Sequence, residues 1–293
     1  MPSAGREAER ARWRWLARAL YATRAVDWLY QLFDRLRSRL VLAWAPGQFL
    51  DVYNDVAYPR GGRYQPQAAD ATLMPWEAQL VVRFFPPPPA RVLVGGAGGG
   101  REVFPLARMG YQIVALEPSQ AFVQALARAV PKNLDVQAYA SAYEDLPRLL
   151  PLDPTSAPGD ITVLPAFDAA LLGLSSFSHM RSETERLRLL GLLGQIVTGP
   201  VVVSFFCRPS AVLAPSPGRD RLRTLRRAVS RQLPLGEGDW FSASIGFVHT
   251  FTADELQRLA ERAGFEIVHL DVESNWCHAV LRARLPAVEP VAD

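Results

Sequence analysis

Glycine is concentrated at one point of the chain, where it could bring a ligand close to the backbone. Five of the six residues 95–100 are glycine, which tolerates positive φ and leaves the main chain accessible. The apolar run Val92 to Val94 before this turn is typical of a parallel strand buried on both faces. Residues 112–116 predict a second strand, and Glu117 ends it, 21 positions beyond Gly96. A carboxylate there can accept hydrogen bonds from both hydroxyls of a ribose, so this stretch predicts a nucleoside site.

The glycine spacing helps to choose the nucleoside. A dinucleotide fingerprint needs Gly-x-Gly-x-x-Gly, but starting at Gly95 puts Ala97 at the second glycine, and starting at Gly96 puts Arg101 at the third. The pattern that fits is Gly-x-Gly-x-Gly, on Gly96, Gly98 and Gly100. With Glu117 closing the second strand, this pattern resembles the class I S-adenosylmethionine (SAM) dependent methyltransferases. The resemblance covers about residues 76–285.

This resemblance implies a fold and a division of the chain. The expected fold is α/β, a Rossmann-like, seven-stranded, mostly parallel sheet with helices on both faces and an N-terminal helical extension. Residues 277–284 would form the last strand, which is antiparallel in the family. Residues 1–75 would be a helical cap with a loop rich in aromatic residues and arginine. Residues 76–293 would be the SAM-binding domain, with an insertion at about 207–245.

The resemblance also implies which residues contact SAM and, after transfer, S-adenosylhomocysteine. The family usually has an acid two positions before the first glycine of its pattern, where this chain has Val94. It usually has another in the adenine loop, where this chain has Ala142. The expected cofactor-binding residues are Gly95, Gly96, Ala97, Gly98, Gly100, Glu117, Pro118, Tyr143, Glu144, Gly173, Leu174 and Ser175.

Two histidines are candidate general bases or substrate-orienting residues. His179 follows the predicted fourth strand, residues 167–172, and open α/β sheets bind ligands beyond the carboxyl ends of their strands. His249 precedes a predicted helix at a strand or loop end. A structural role remains the alternative for each. The expected substrate-contacting residues are Tyr53, Tyr64, Ser176 and Phe241.

The N-terminal segment is basic and helical in pattern. Apolar residues recur at roughly helical spacing from Trp13 to Leu40. Nine arginines against four acidic residues give residues 1–45 a net charge of +5, which exceeds the +3 of the whole chain. An amphipathic helix of this kind could lie on an anionic membrane or a partner. The alternative is a helical cap on the catalytic domain with its arginines in solvent.

Composition and short motifs narrow the choice of metal, cellular location and partner. Of 293 residues, 49% are hydrophobic, and the two cysteines have no metal-ligand spacing, so we expect no metal. We found no signal peptide and no apolar run long enough to span a bilayer, which favours the cytoplasm. Segment 174–177 lacks the Asn/Asp-Pro-Pro-Tyr-like pattern common in methyltransferases of nucleic-acid bases, so nucleic acid is disfavoured as a partner.

The expected function is therefore methyl transfer from SAM to an O or N atom of a small molecule, by a monomer or homodimer. The alternative is a catalytically inactive SAM-binding or partner-binding protein of the same fold. An aminopropyltransferase is disfavoured, because that family places an acidic proton acceptor where this chain has residues 173–175, Gly-Leu-Ser.

Overall fold

The computed structural model describes residues 13, 26, 28–45, 49–50, 52–53, 71–146, 167–208 and 236–284. Within these ranges the helices are α1 (28–44), α2 (Pro75–Phe84), α3 (Val103–Arg108), α4 (Gln120–Ala129), α5 (Glu183–Ile196) and α6 (Ala253–Arg262). The strands are β1 (Arg91–Gly95), β2 (Gln112–Glu117), β3 (Val136–Ala140), β4 (Ala169–Leu172), β5 (Val201–Ser204), β6 (Phe206–Cys207), β7 (Asp239–Ser242), β8 (Gly246–Phe251), β9 (Phe265–Asp271) and β10 (His278–Ala283).

Seven strands form one sheet in the order β3-β2-β1-β4-β5-β10-β9. The pairs from β3 to β5 are parallel, and β10 is antiparallel to both of its neighbours. The predicted α/β fold, with its mostly parallel sheet and antiparallel last strand, is therefore confirmed. The strand order reverses between β1 and β4, and such a switch point is where open α/β sheets bind ligands.

Both faces of the sheet are covered at its centre, which explains why β1, β4 and β5 are buried runs without alternation. Leu93 of β1 packs in a cluster with Leu189 and Leu193 of α5 and with residues of α6. Its neighbour Val92 points to the opposite face and packs in a second cluster with Phe104 of α3 and residues of α2. Successive residues of a strand face opposite sides, so burial on both sides requires an apolar residue at every position.

The expected insertion contributes a second, smaller sheet that the sequence did not predict. Its order is β6-β8-β7, with β7 and β8 forming an antiparallel hairpin. Phe241 of β7 and Phe247 of β8 pack in a third apolar cluster with Leu42 of α1 and Leu50. The described part of the N-terminal extension therefore rests on this hairpin. Residues 209–235 of the expected insertion, which include six arginines between positions 219 and 231, lie outside the described residues.

The helix starts follow the sequence in part. In the sequence, Ser182 with Glu185 and Thr252 with Glu255 each have the spacing of a capping box, and Ser182 and Glu185 form one at the start of α5. At α6, Thr252 accepts a hydrogen bond from the N–H of Glu255. The Glu255 carboxylate, however, binds His249 and Arg208 instead of completing a capping box. None of the described helices has both the length and the apolarity that crossing a bilayer requires.

Candidate functional site

The glycine turn lies at the carboxyl end of β1, as predicted. Gly96, Gly98 and Gly100 all have positive φ, at 67°, 49° and 87°. The turn also lies very close to the loop after β4, because a Cβ atom on Gly96 would come within 2.6 Å of the Cβ of Ser176. Glycine is thus required at position 96 both for its backbone conformation and for this close approach.

Glu117 is held at the end of β2 by two backbone N–H groups. Gly98 donates a hydrogen bond to its Oε2 at 2.9 Å, and Ser119 donates one to its Oε1 at 3.0 Å. These contacts fix the carboxylate between the glycine turn and the start of α4. Since a carboxylate oxygen has two acceptor sites, Glu117 retains the capacity to accept hydroxyl hydrogen bonds from a ligand.

A cavity of about 320 Å³ opens beside Glu117. Its volume lies within the range of about 300–1,000 Å³ that is usual for small-molecule sites. One end is formed by the start of α4 and the loop after β3, and the other by the loop after β4 and the start of α5. The lining residues are Gly96, Gly98, Leu116, Glu117, Pro118, Ser119, Phe122, Ser141, Ala142, Tyr143, Glu144, Leu174, Ser176, His179, Met180, Arg181 and Glu185.

Tyr143 and Ser176 join the two ends of the cavity over the glycine turn. Their hydroxyl oxygens lie 2.8 Å apart, within hydrogen-bond distance. A Cβ atom on Gly95 would meet the Tyr143 ring at 2.5 Å, so the ring packs directly on the turn. Burial raises the pKa of Tyr143, and its phenol therefore remains protonated at neutral pH.

Three charged groups lie beneath the turn, and the sequence reasoning missed them. Arg101 donates two hydrogen bonds to the buried Glu77, at 2.8 and 2.6 Å, and a third to the buried Glu102. Glu102 also accepts a hydrogen bond from the N–H of Leu174, in the loop after β4, at 3.3 Å. Burial raises the pKa of Glu102. This cluster thereby connects α2, the glycine turn and the loop that lines the cavity.

His179 lies where the sequence predicts it, in the cavity wall. Its Nδ1 is 2.8 Å from the carbonyl oxygen of Phe247 in β8. Because a carbonyl only accepts, Nδ1 must donate, and in the neutral ring Nε2 is then the basic nitrogen. Burial lowers the pKa of His179. The ring is therefore kept in the neutral form that a general base requires.

His249 has a different environment. It is not among the residues that line the cavity, and both ring nitrogens contact carboxylates. Its Nδ1 lies 2.7 Å from Asp239 and its Nε2 lies 2.8 Å from Glu255. Burial by itself would lower the pKa of His249, but the hydrogen bonds to these two carboxylates outweigh it and raise the pKa. The geometry is that of an imidazolium that ties β7 and β8 to α6.

Comparison with known proteins was made at the level of sequence and of structure. No protein-family model matches the sequence, and no curated protein matches it. Among solved structures, the CcbJ methyltransferase of Streptomyces caelestis is similar at 18% identity, covering 80% of this chain and 98% of that one, with a TM-score of 0.51. A 1,6-didemethyltoxoflavin N1-methyltransferase of Burkholderia thailandensis is similar at 17% identity, covering 81% of this chain and 88% of that one, with a TM-score of 0.51. A SAM-dependent methyltransferase of Methanosarcina mazei is similar at 15% identity, covering 72% and 98%, with a TM-score of 0.50.

The chain has the class I methyltransferase fold. At these identities the likeness establishes the fold alone, so the function of the site depends on its own residues.

Val94 and Ala142, the two positions that lack the acid usual in the family pattern, differ in their surroundings. Val94 is fully buried in the apolar cluster below the sheet, whereas Ala142 lines the cavity.

The other predicted site residues that do not line the cavity fall into three groups. Gly95 ends β1, and Ala97, Gly100, Gly173 and Ser175 lie in the loops after β1 and β4; none of these five is among the residues that line the cavity. Tyr53 and Phe241 lie apart from the cavity: their rings contact each other edge to face, and Phe241 belongs to the cluster beside α1. Tyr64 lies outside the described residues.

The structure adds cavity residues that the sequence reasoning did not select. Ser119 and Phe122 lie two and five residues after Glu117, and Ser141 begins the adenine loop, so their positions near predicted residues were an available signal. Met180 and Arg181 carried a similar signal, because they directly follow the predicted His179 at the end of the short helical turn Ser176–His179.

Proposed function

We propose that this protein is a SAM-dependent methyltransferase that transfers a methyl group to an O or N atom of a small molecule. The observation that carries the proposal is the carboxylate of Glu117, held by the N–H groups of Gly98 and Ser119 at the edge of a cavity. Its position at the end of β2, beside the switch point of the sheet, is that of a ribose-binding acid.

The cavity residues fit the parts of SAM. Glu117 offers acceptors for the two ribose hydroxyls. Leu116 and Phe122 supply apolar surface for an adenine, next to the backbone of Tyr143. On the other side of the glycine turn, Gly96 and Leu174 border the end of the cavity that would take the methionine part. The structure of the Burkholderia thailandensis N1-methyltransferase contains S-adenosylhomocysteine together with 1,6-didemethyltoxoflavin. By analogy of fold, it supports SAM as the cofactor and a small molecule as the methyl acceptor.

The chemistry asked of this chain is chiefly positioning. When bound, SAM supplies a methyl group on a sulfonium, which an acceptor atom can displace in line. The protein must align the acceptor and exclude water. Tyr143 and Ser176, joined across the turn, close the cavity on one side. If the acceptor loses a proton, Nε2 of the neutral His179 is our candidate to take it. We assign His249 a structural role.

The decisive experiment is calorimetric titration of the full-length protein with SAM, S-adenosylhomocysteine and NADH separately. We expect both adenosyl ligands to bind and NADH not to bind. Glu117→Ala should weaken SAM binding by about 1–3 kcal/mol, because two charge-assisted hydrogen bonds are lost. Glu266→Ala, an exposed carboxylate on the distant edge strand β9, is the matched control and should bind SAM normally.

Two results would refute parts of this proposal. Normal SAM binding by Glu117→Ala would refute the ribose assignment, and failure of the wild-type protein to bind any adenosyl ligand would refute the cofactor assignment.

A second candidate function is an inactive SAM-binding or partner-binding protein of the same fold. It is favoured by Val94 and Ala142, which remove two acids that the family pattern usually places at the nucleoside site. Tight SAM binding without turnover on any acceptor would favour this candidate, whereas methylation of an acceptor that depends on His179 would exclude it.

A further inference from the structure

Among the residues that the structure describes, helix α1 packs on the rest of the protein through the face that carries Ser38 and Leu42. Ser38 and Leu42 are buried, and the Oγ of Ser38 accepts a hydrogen bond from the N–H of Phe241 at 2.8 Å. Leu42 packs in the cluster formed with the β7–β8 hairpin.

The opposite face is a continuous apolar stripe exposed to solvent. Its residues follow one another at intervals of three or four, the spacing at which helical side chains share a face. Leu36 and Leu40 lie about 160° around the helix axis from Ser38 at 3.6 residues per turn. The stripe consists of Leu29, Phe33, Leu36, Leu40 and Trp44, which are 46%, 69%, 45%, 61% and 65% exposed. Scattered apolar residues are ordinary on protein surfaces, but a contiguous stripe marks an interaction site.

Arginines border this stripe on both sides. On one side Arg35 and Arg39 are a helical turn apart, and on the other lies Arg37; all three are exposed. Asp34 is the only acidic residue between positions 28 and 45, and it pairs with Arg37. The sequence preceding α1 adds to the positive charge, since residues 1–45 have a net charge of +5.

We propose that α1 binds the surface of a lipid bilayer that contains anionic lipids, lying parallel to the membrane plane with the stripe buried among the acyl chains. An apolar face flanked by arginines is the composition of such interfacial helices, and basic residues beside the interface attract anionic headgroups. The long arginine side chains can extend upward to the headgroups while their stems cover apolar surface.

A second copy of the chain fits this surface less well. An interface between two identical α1 stripes would bring the arginines of both copies together, with one acidic residue per helix to oppose three arginines. An anionic bilayer supplies the opposite charge that the flanks need.

Docking of α1 would also place the cavity close to the membrane. Leu42 packs in one cluster with Phe247 of β8, and the Phe247 carbonyl accepts the hydrogen bond from His179 in the cavity wall. The bilayer-facing helix and the candidate site therefore both adjoin Phe247 of β8. The inference about lipid binding does not depend on the proposed methyl transfer.

Co-sedimentation of the full-length protein with vesicles tests the proposal. One vesicle preparation is phosphatidylcholine alone, and the other contains phosphatidylcholine and phosphatidylglycerol in equal parts. We expect binding to the second, weakened by added salt because exposed charges are screened. The triple variant Phe33→Gln/Leu36→Gln/Leu40→Gln and the double variant Arg35→Gln/Arg39→Gln should each bind at least roughly tenfold more weakly.

Matched controls separate a specific surface from general changes in polarity. The control for the stripe is Val82→Gln/Met109→Gln/Val268→Gln, three exposed apolar residues away from α1. The control for the arginines is Arg258→Gln/Arg282→Gln, two exposed arginines of α6 and β10. Both controls should bind vesicles as the wild-type protein does. Because every substituted side chain is exposed, circular dichroism should show unchanged folding in all four variants.

Several results would overturn the proposal. These are no binding to either vesicle preparation, equal binding to both, and binding that the stripe variant retains. A dimer that forms without lipid and dissociates in the stripe variant, measured by analytical ultracentrifugation, would instead make the stripe a contact between two copies.

Discussion

Replacing His249 with leucine tests whether this residue is structural. Leucine removes both hydrogen-bond donors and leaves the Asp239 carboxylate, whose side chain is 6% exposed, without its imidazole partner. Breaking a buried charged pair costs about 3–5 kcal/mol. Loss of the contact with Glu255 costs less stability, because the Glu255 side chain is 25% exposed and keeps its contact with Arg208. We therefore expect His249→Leu to lower the free energy of unfolding by about 2–4 kcal/mol.

A double variant gives this prediction a sharper form. Removing both members of a buried polar pair is less costly than removing one, because no unpaired group remains. His249→Leu/Asp239→Leu should therefore be more stable than His249→Leu alone. Urea unfolding followed by tryptophan fluorescence measures both. A single variant within about 0.5 kcal/mol of wild type, the range of ordinary surface substitutions, would refute the reasoning.

The contribution of His249 should also depend on pH. Its carboxylate partners Asp239 and Glu255 raise its pKa against the opposing effects of burial and of the nearby Arg186. A raised folded-state pKa gives stability that is complete below the unfolded value, about 6.5, and is lost as the pH rises through the folded value. The pKa of Glu255 is lowered by His249 and Arg208 although burial opposes this, so its contribution is lost as the pH falls through its folded value. The stability difference between wild type and His249→Leu should therefore shrink as the pH rises above about 6.5 and through the raised folded-state pKa of His249, and a pH-independent difference would contradict this account.

Four further substitutions test the cavity and the core beneath it. His179→Gln should lower kcat by about 10²- to 10⁴-fold, the usual contribution of a general base, while calorimetry shows unchanged SAM affinity; unchanged kcat would exclude the assignment. Tyr143→Phe removes the hydroxyl that contacts Ser176 and should weaken SAM binding by about 0.5–1.5 kcal/mol, the value of one hydrogen bond; equal affinity would show that the contact does not shape the site. Ala142→Asp should fold normally and tighten SAM binding by about 1 kcal/mol. Val94→Asp should instead lower the free energy of unfolding by roughly 3 kcal/mol or more, because it buries a charge. Calorimetry and urea unfolding distinguish these outcomes, and the reverse pattern would contradict the burial argument.

The sheet could be predicted from the sequence because its signals are local. Val92 to Val94 and residues 113–116 are apolar at every position, and the glycines and Glu117 stand directly at their ends. The capping box of Ser182 and Glu185 spans only four residues. By contrast, the three-stranded sheet joins Phe206 to Thr250, and no local pattern specifies a pairing across the intervening insertion.

The histidines illustrate why the site could be predicted only in part. His179 and His249 have the same chemistry, and both lie near the ends of predicted strands. What separates them are partners on other elements of the fold: a carbonyl 68 residues away for His179, and the carboxylates of Asp239 and Glu255, 10 and 6 residues away, for His249. Whether a ring nitrogen can act as a base or instead donates to a carboxylate depends on such contacts, which form only when the chain folds.

The missing acid at Val94 has a counterpart elsewhere in the structure. A Cβ atom on Gly173 would lie 3.2 Å from Oε1 of Glu102 and 3.2 Å from the carbonyl oxygen of Gly95, so the Glu102 carboxylate reaches the junction of β1 with the loop after β4. It arrives there from the start of α3 rather than from the strand. At that point it can accept the N–H of Leu174, while Arg101 offsets the charge that it shares with Glu77. A carboxylate at position 94 would place a third acid in the apolar core at the end of β1, while Arg101 already offsets both Glu77 and Glu102. The apolar residue at position 94 is therefore consistent with a site that still holds its loops through a buried acid, and it does not by itself indicate that the site has lost its function.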